Sequence, residues 1–326
     1  QAAMGEPLDR LLRWARPLSL LLPFGLVQIF GFSALGALLL QQYAAMMLAA
    51  AFFALWLRRA GESAEQGLFL WLCASPVPVY AWAAINDVAG WAAGLGLLLL
   101  LPEKDNARQS GRMGALLGVA VFIKESALLA GWYWAWLWLW RERRLRTALT
   151  TLLGFGLVLA LGLWATKSAV GYNLLDWLRM NHDGDEANMY ADWRRAYLVQ
   201  VLRTLDVYWL FVLAAPFVAS RQNDAASKRA LWSAAIAALL VYPLAWSYMS
   251  DRILFLFAPL WLLLAVRGLR LWGRGAWAAL LVASAANLCA AHSSYIEPLP
   301  FGLAGIYTAA ALLLGFLLLL SRSTKS

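Results

Sequence analysis

Five charged residues sit in short breaks between apolar runs: Asp87 in AINDVAG, Lys124 and Glu125 in VFIKESAL, and Asp251 and Arg252 in YMSDRILF. An ionised group close to a hydrocarbon core is costly, and where one persists it commonly faces a polar cavity or an ion path. Lysine and arginine in such a place can hold an anion or take up negative charge that develops during a reaction. A carboxylate there can accept a proton or orient a hydroxyl or amine. The plainer alternative is that each tip sits in headgroup water, with Lys124 paired to Glu125. Two further clusters carry polar chemistry. In MNHDGDEANMY, His182, Asp183, Asp185 and Glu186 surround Gly184 and offer nitrogen and oxygen ligands for a divalent cation. Their spacing departs from the alternating ligand order of a calcium loop, so a solvated acidic tip competes with a metal site. In HSSYIEPLPFG, His292, Tyr295 and Glu297 suit either acid–base work or structural hydrogen bonding at a helix end.

The elements that must position these groups follow from composition. Of the 326 residues, 63% are apolar and 14% are charged, and the mean hydropathy is +0.64. Soluble domains run nearer half apolar and about a quarter charged. A disordered chain, a disulfide scaffold and an ordinary soluble enzyme are excluded, and the expectation is an all-α polytopic membrane protein. The 19 Trp and 11 Tyr suit a chain with many crossings of the membrane–water boundary. The two cysteines, Cys73 and Cys289, fall inside apolar runs and form no framework. The net charge of +9 marks loops rather than one continuous patch, which argues against a nucleic-acid partner.

Apolar segments are expected at 33–57, 67–85, 88–101, 113–123, 126–140, 148–166, 206–220, 231–249, 253–266, 276–291 and 303–320. If each crosses, one set of alternate connections is 58–66, 102–112, 141–147, 221–230, 267–275 and the C-terminal tail. That set holds most of the 27 basic residues, whereas most of the acids fall in the opposite set. The positive-inside rule makes the basic set cytoplasmic. The N-terminal stretch then begins outside, which predicts a transmembrane helix upstream of Gln1. Residues 6–16 (EPLDRLLRWAR) carry Leu8, Leu11, Leu12 and Ala15 on one helical face and read as an interfacial helix.

Residues 113–140 lie between two cytoplasmic connections, yet two full spans need about 40 residues. The chain is therefore expected to turn near or inside the membrane at Lys124-Glu125. Residues 67–101 do likewise at Asn86-Asp87, with Pro76 and Pro78 available to kink the ascending helix. All three charged tips are then directed outward and are expected to ring one cavity. The longest polar segment, 167–205, lies on the same side and is expected to act as a lid or an acceptor platform. Walker A, GxSxG, HExxH and paired CxxC motifs are absent, which weakens ATP-driven transport, serine hydrolase and zinc protease readings. No fixed-period repeat and no domain boundary are evident, so residues 1–326 are taken as one integral membrane domain.

Four stretches, in order, resemble the GT-C glycosyltransferases, in particular the bacterial relatives of protein O-mannosyltransferases and the lipid A aminoarabinose transferase. They are ARPLSLLLPFGLVQIFGFSALGALLLQQ (15–42), SPVPVYAWAAINDVAGW (75–91), GRMGALLGVAVFIKESALL (111–129) and DRILFLFAPLWLLLAVRGL (251–269). The resemblance implies a GT-C-like fold, with about 11 transmembrane or half-membrane helices in this chain. It implies transfer of a sugar from a polyprenyl-phosphate carrier to a glycan, lipid or protein acceptor, with inversion, at the extracytoplasmic face of the inner membrane. It makes Asp87 the second-loop acid, Lys124 the hairpin lysine and Arg252 the late basic residue. The late motif here reads Asp-Arg-Ile rather than Arg-Tyr. The family's first acidic loop would fall immediately before Gln1. A divalent cation at the acidic residues is a further possibility that the resemblance leaves open.

Two other readings compete. HSSYIEPLPFGLAG (292–305) faintly resembles a stretch of the O-antigen ligases and polymerases, with His292 as its key residue. A multi-pass transporter would use Asp87, Lys124 and Asp251 as an ion path, although the two related halves common in transporters are not visible.

Overall fold

A computed structural model describes residues 18–74, 76–80, 87–100, 107–124, 127, 145–176, 199, 201–218, 232, 235–236, 255–296, 299–300 and 302–323. Among the described residues every regular element is helical. Eleven α-helices are numbered here: α1 Leu18–Phe30, α2 Ala34–Arg59, α3 Ala64–Cys73, α4 Pro76–Tyr80, α5 Asp87–Leu99, α6 Ala107–Ile123, α7 Leu145–Val170, α8 Trp209–Ala214, α9 Ala258–Leu269, α10 Ala276–Tyr295 and α11 Gly302–Ser323. Four stretches are long and apolar enough to cross a membrane: Ala34–Arg59, Leu145–Val170, Ala258–Ser294 and Gly302–Ser321. The third is not one straight rod. Gly273 takes a left-handed φ of 51°, and α9 and α10 run in opposite directions on either side of it. Phe255 packs on Trp71 and Arg267 reaches Glu62. Trp277 then packs on Phe69, so α10 retraces the height that α9 descended.

Several expected segments are matched closely by helices, but α1 was not anticipated. Its Pro23 and the following Gly31 broke the apolar pattern. Gly31 turns the chain with a φ of 70°. The Ser33 hydroxyl then accepts from the Gly36 N–H at 3.1 Å and starts α2. The ascending segment at 67–85 is interrupted at Ala74, whose extended ψ of 133° separates α3 from α4. The supposed loop at 167–205 is shorter at both ends. Lys167 belongs to the last turn of α7, and residues 201–205 are helical. The interfacial helix at 6–16 and the segments at 126–140 and 231–249 fall wholly or almost wholly outside the described residues.

Side-chain pairs fix the directions of the helices. Phe52 lies against Gly96 and the Arg59 guanidinium donates to the Leu99 carbonyl, so α2 and α5 run parallel with α3 returning between them. On α6, Gly111, Gly114 and Gly118 face Thr150, Thr151 and Val158 of α7, and Phe122 faces Gly162, so these two are parallel as well. Lys124 and Leu145 therefore stand at opposite ends of the α6–α7 pair. Glycine is required in this seam: a Cβ on Gly114 would lie 1.9 Å from the Thr151 carbonyl oxygen. Small residues spaced three and four apart let backbones approach, which is how helices associate where lipid supplies no hydrophobic drive. The opposite face of α7, with Leu152, Leu153, Leu157, Leu161 and Trp164, is exposed.

At the centre, every residue of α9 except Arg267 is buried. A helix that is apolar all round belongs in a core. Two turns are clamped at one end of the bundle, where Glu62 accepts from Arg267 Nε at 2.9 Å and also from Arg270. The connections after α2, α5 and α9 meet there, as alternate connections must. The other end carries Asp87, Lys124 and the start of α11.

Candidate functional site

Asp87 opens α5 and Lys124 follows the last residue of α6. These helices touch and are joined by 100–106, so their free ends lie at one end of the bundle. A carboxylate at a helix N-terminus and a cation at a C-terminus both match the helix dipole. Lys124 is 5% exposed. Its N–H donates to Ala120 at 3.0 Å and its carbonyl accepts from Ala127 at 2.9 Å, closing a tight turn. An enclosed ammonium must be held by acceptors, because an isolated buried charge is untenable. Beside this turn, Leu18, Val119, Phe122, Val158, Leu161 and Gly162 line an open apolar groove of about 380 Å³ between α1, α6 and α7.

Glu125, Asp251, Arg252, Glu297, His182, Asp183, Asp185 and Glu186 lie outside the described residues. Tyr295 ends α10, and His292 is exposed one turn earlier, turned away from the buried Asn287. No group of three or more metal-ligating side chains occurs among the described residues.

A second polar group, unanticipated, lies where the helical stretch at 201–205 breaks. Asp206 has a φ of 45°, is 8% exposed and starts the 3-10 turn Asp206–Tyr208 that leads into α8. The Asn287 side chain spans the break, donating to the Leu205 carbonyl at 3.0 Å and accepting from the Val207 N–H at 2.9 Å. The Tyr307 hydroxyl donates to Asp206 Oδ1 at 2.6 Å. The Tyr208 hydroxyl and Ser284 Oγ lie 2.6 Å apart. Arg203 is within electrostatic reach of Tyr307. Its Nε is enclosed and has no hydrogen-bond partner among the described residues.

The sequence signal for this group was present. Ser284 and Asn287 are three residues apart on the buried stripe of α10, where Ala276, Ala279, Leu280, Ala283, Ala290 and Ala291 also lie. Polar side chains on the packed face of a membrane helix commonly hydrogen-bond to neighbouring helices. Asp206 stands at the edge of the apolar segment expected at 206–220, so its local sequence marks only a boundary.

Comparison of the chain with known protein families, with curated proteins and with solved structures finds no match.

Proposed function

We propose that this protein is a membrane glycosyltransferase that moves a sugar from a polyprenyl-phosphate carrier to an acceptor at the extracytoplasmic face of the inner membrane. The observation that carries the reading is the enclosed Lys124 at the same end of the bundle as Asp87. The opposite end gathers Arg59, Arg267 and Arg270, which supports a cytoplasmic assignment for that end and an outward one for Lys124. The apolar groove beside Lys124 is open on its side, which suits an isoprenoid tail that stays in lipid.

The chemistry needs one displacement. An acceptor oxygen or nitrogen attacks the anomeric carbon, the bond from that carbon to the phosphate oxygen breaks, and the carrier leaves as a phosphate anion. Lys124, together with Arg252, stabilises that anion as a charge-assisted donor in a poorly screened site. A carboxylate takes the acceptor proton, with Asp87 assisting or holding a divalent cation. A single step inverts the anomeric centre. The finer architecture proposed is GT-C-like with about eleven full or partial spans.

The test is turnover of polyprenyl-phosphate sugars by protein reconstituted in liposomes. Asp87→Asn and Lys124→Ala should abolish transfer and leave expression intact; normal activity of both variants would remove the assignment. The helix break at the buried Asp206 favours one rival, because discontinuous helices also build transporter sites. Solute uptake by the liposomes with no glycosyl product would select the transporter. Loss of function in His292→Ala with Asp87 tolerant would select a ligase-like enzyme.

A further inference from the structure

We propose that Arg267, Arg270 and Trp232 form a docking site for the phosphate of an anionic phospholipid, at the end of the bundle opposite Lys124. Arg267 stands in the last turn of α9 and Arg270 just past it. The enclosed Glu62 lies between them and accepts one N–H from each guanidinium, Nε of Arg267 at 2.9 Å and an Nη of Arg270. It is the only acceptor of either guanidinium among the described residues. A guanidinium carries five N–H donors, so one carboxylate leaves most of them unengaged while fixing both groups in place. The charges do not close either. Two cations against one anion leave a surplus of one positive charge, and the carbonyl end of α9 offsets about half of it.

The same two arginines line a pocket of about 50 Å³ together with Pro216, Val218, Trp232 and Leu264. One water needs about 10–15 Å³ of such space, so the pocket takes a group of a few heavy atoms, the size of a phosphate. The walls choose its source. A soluble phosphate gains nothing from proline, valine, leucine and tryptophan, whereas a phospholipid sets its phosphate on the guanidinia and its glycerol and first methylenes on those walls. Its acyl chains then have a path. Phe217, between Pro216 and Val218 in the chain, begins an exposed apolar stripe that continues through Leu213 and Leu210 along α8, away from the pocket. Tryptophan settles at the headgroup level of a bilayer, and basic pockets between membrane helices on the cytoplasmic side bind acidic headgroups. This is the end that the positive-inside rule makes cytoplasmic. The site is separate from Lys124 and does not rest on the transferase reading.

The experiment titrates the purified protein in detergent with phosphatidylglycerol and with phosphatidylcholine of the same acyl chains, and counts bound lipid by native mass spectrometry. The unaltered protein should bind phosphatidylglycerol about tenfold more tightly, the lower end of what a charge-assisted hydrogen bond contributes. Arg270→Gln should erase that preference. Arg274→Gln, which removes a charge at the same end of the bundle but outside the pocket, should keep it. Equal affinity of the unaltered protein for the two lipids would overturn the proposal, as would a preference that survives Arg270→Gln or one that Arg274→Gln lowers as much. Should Arg270→Gln fail to fold, Val218→Asp decides by the same criterion, because it sets a carboxylate in the pocket wall. Inorganic phosphate is added as a competitor in a separate arm. Displacement of phosphatidylglycerol by an equal concentration of phosphate would hand the pocket to a soluble anion and overturn the lipid assignment, whereas retention of the lipid supports it.

Discussion

Replacing Asn287 with leucine should destabilise the protein through the two backbone hydrogen bonds that its side chain makes. At the helix break Asn287 donates to the Leu205 carbonyl, which also opens the 3-10 turn Asp206–Tyr208, at 3.0 Å and accepts from the Val207 N–H at 2.9 Å. Asn287 is fully buried, so water does not replace the lost bonds. The orphaned Val207 N–H costs about 1–3 kcal/mol and the bond lost at the Leu205 carbonyl about 0.5–1.5 kcal/mol, roughly 1.5–4.5 kcal/mol together before any relaxation of the backbone. For a chain of this size that corresponds to a fall in Tm of about 2–7 °C. Asn287→Asp keeps the acceptor for Val207 and loses the donor to Leu205, adding an unpaired charge, so it should be no milder than leucine. The assay is thermal unfolding of purified protein in one detergent, followed by intrinsic fluorescence and by loss of the monodisperse peak. Asp206→Gly supplies the internal check. It relieves the left-handed strain without closing the break, so Asn287→Leu should cost nearly as much in that background. A Tm for Asn287→Leu within about 1 °C of the parent would refute the reasoning, because the break would then not depend on this amide.

Gly114→Val places a branched side chain where a Cβ already meets the Thr151 carbonyl at 1.9 Å. It should separate α6 from α7 and lower detergent stability by about 1–3 kcal/mol or more, whereas Gly156→Val, in open space on α7, should change little. Tyr172, just beyond the α7 span, has its phenol pushed up to about 12, first by burial and then by the charge of Asp176. Its folded value lies above the unfolded value of about 10, so its neutral form favours folding below pH 10 and that contribution is lost as pH rises from about 10 to 12. Tyr172→Phe should match the parent at neutral pH, since the hydroxyl has no partner among the described residues, and should outlast it above pH 10 in a stability titration.

The contrast between what the sequence announced and what it concealed follows from the range over which each signal acts. The helical class is written in composition, and the ends of α2, α6, α7 and α11 are written in local changes from apolar to charged residues. Lys124 was conspicuous because a lysine inside FIKES contradicts its immediate neighbours. Asp206 contradicts nothing nearby: LRTLDVYWLF reads as a polar stretch ending and an apolar one beginning. Its significance depends on Asn287 and Tyr307, whose hydrogen bonds reach back across 80 and 101 residues. No window along the chain contains that relation. The same reasoning explains the Gly114 seam: Gly114 and Gly118 are four residues apart in the chain, but the Thr151 and Val158 they meet lie on another helix. It also locates the physical commitment of the fold. A helix that breaks at a buried aspartate must have its freed amide met elsewhere in the protein. Here one asparagine meets it, from a buried stripe of α10 that holds Ser284 among alanines and Leu280. A chain that merely needed a packed bundle would have continued the helix through residue 206.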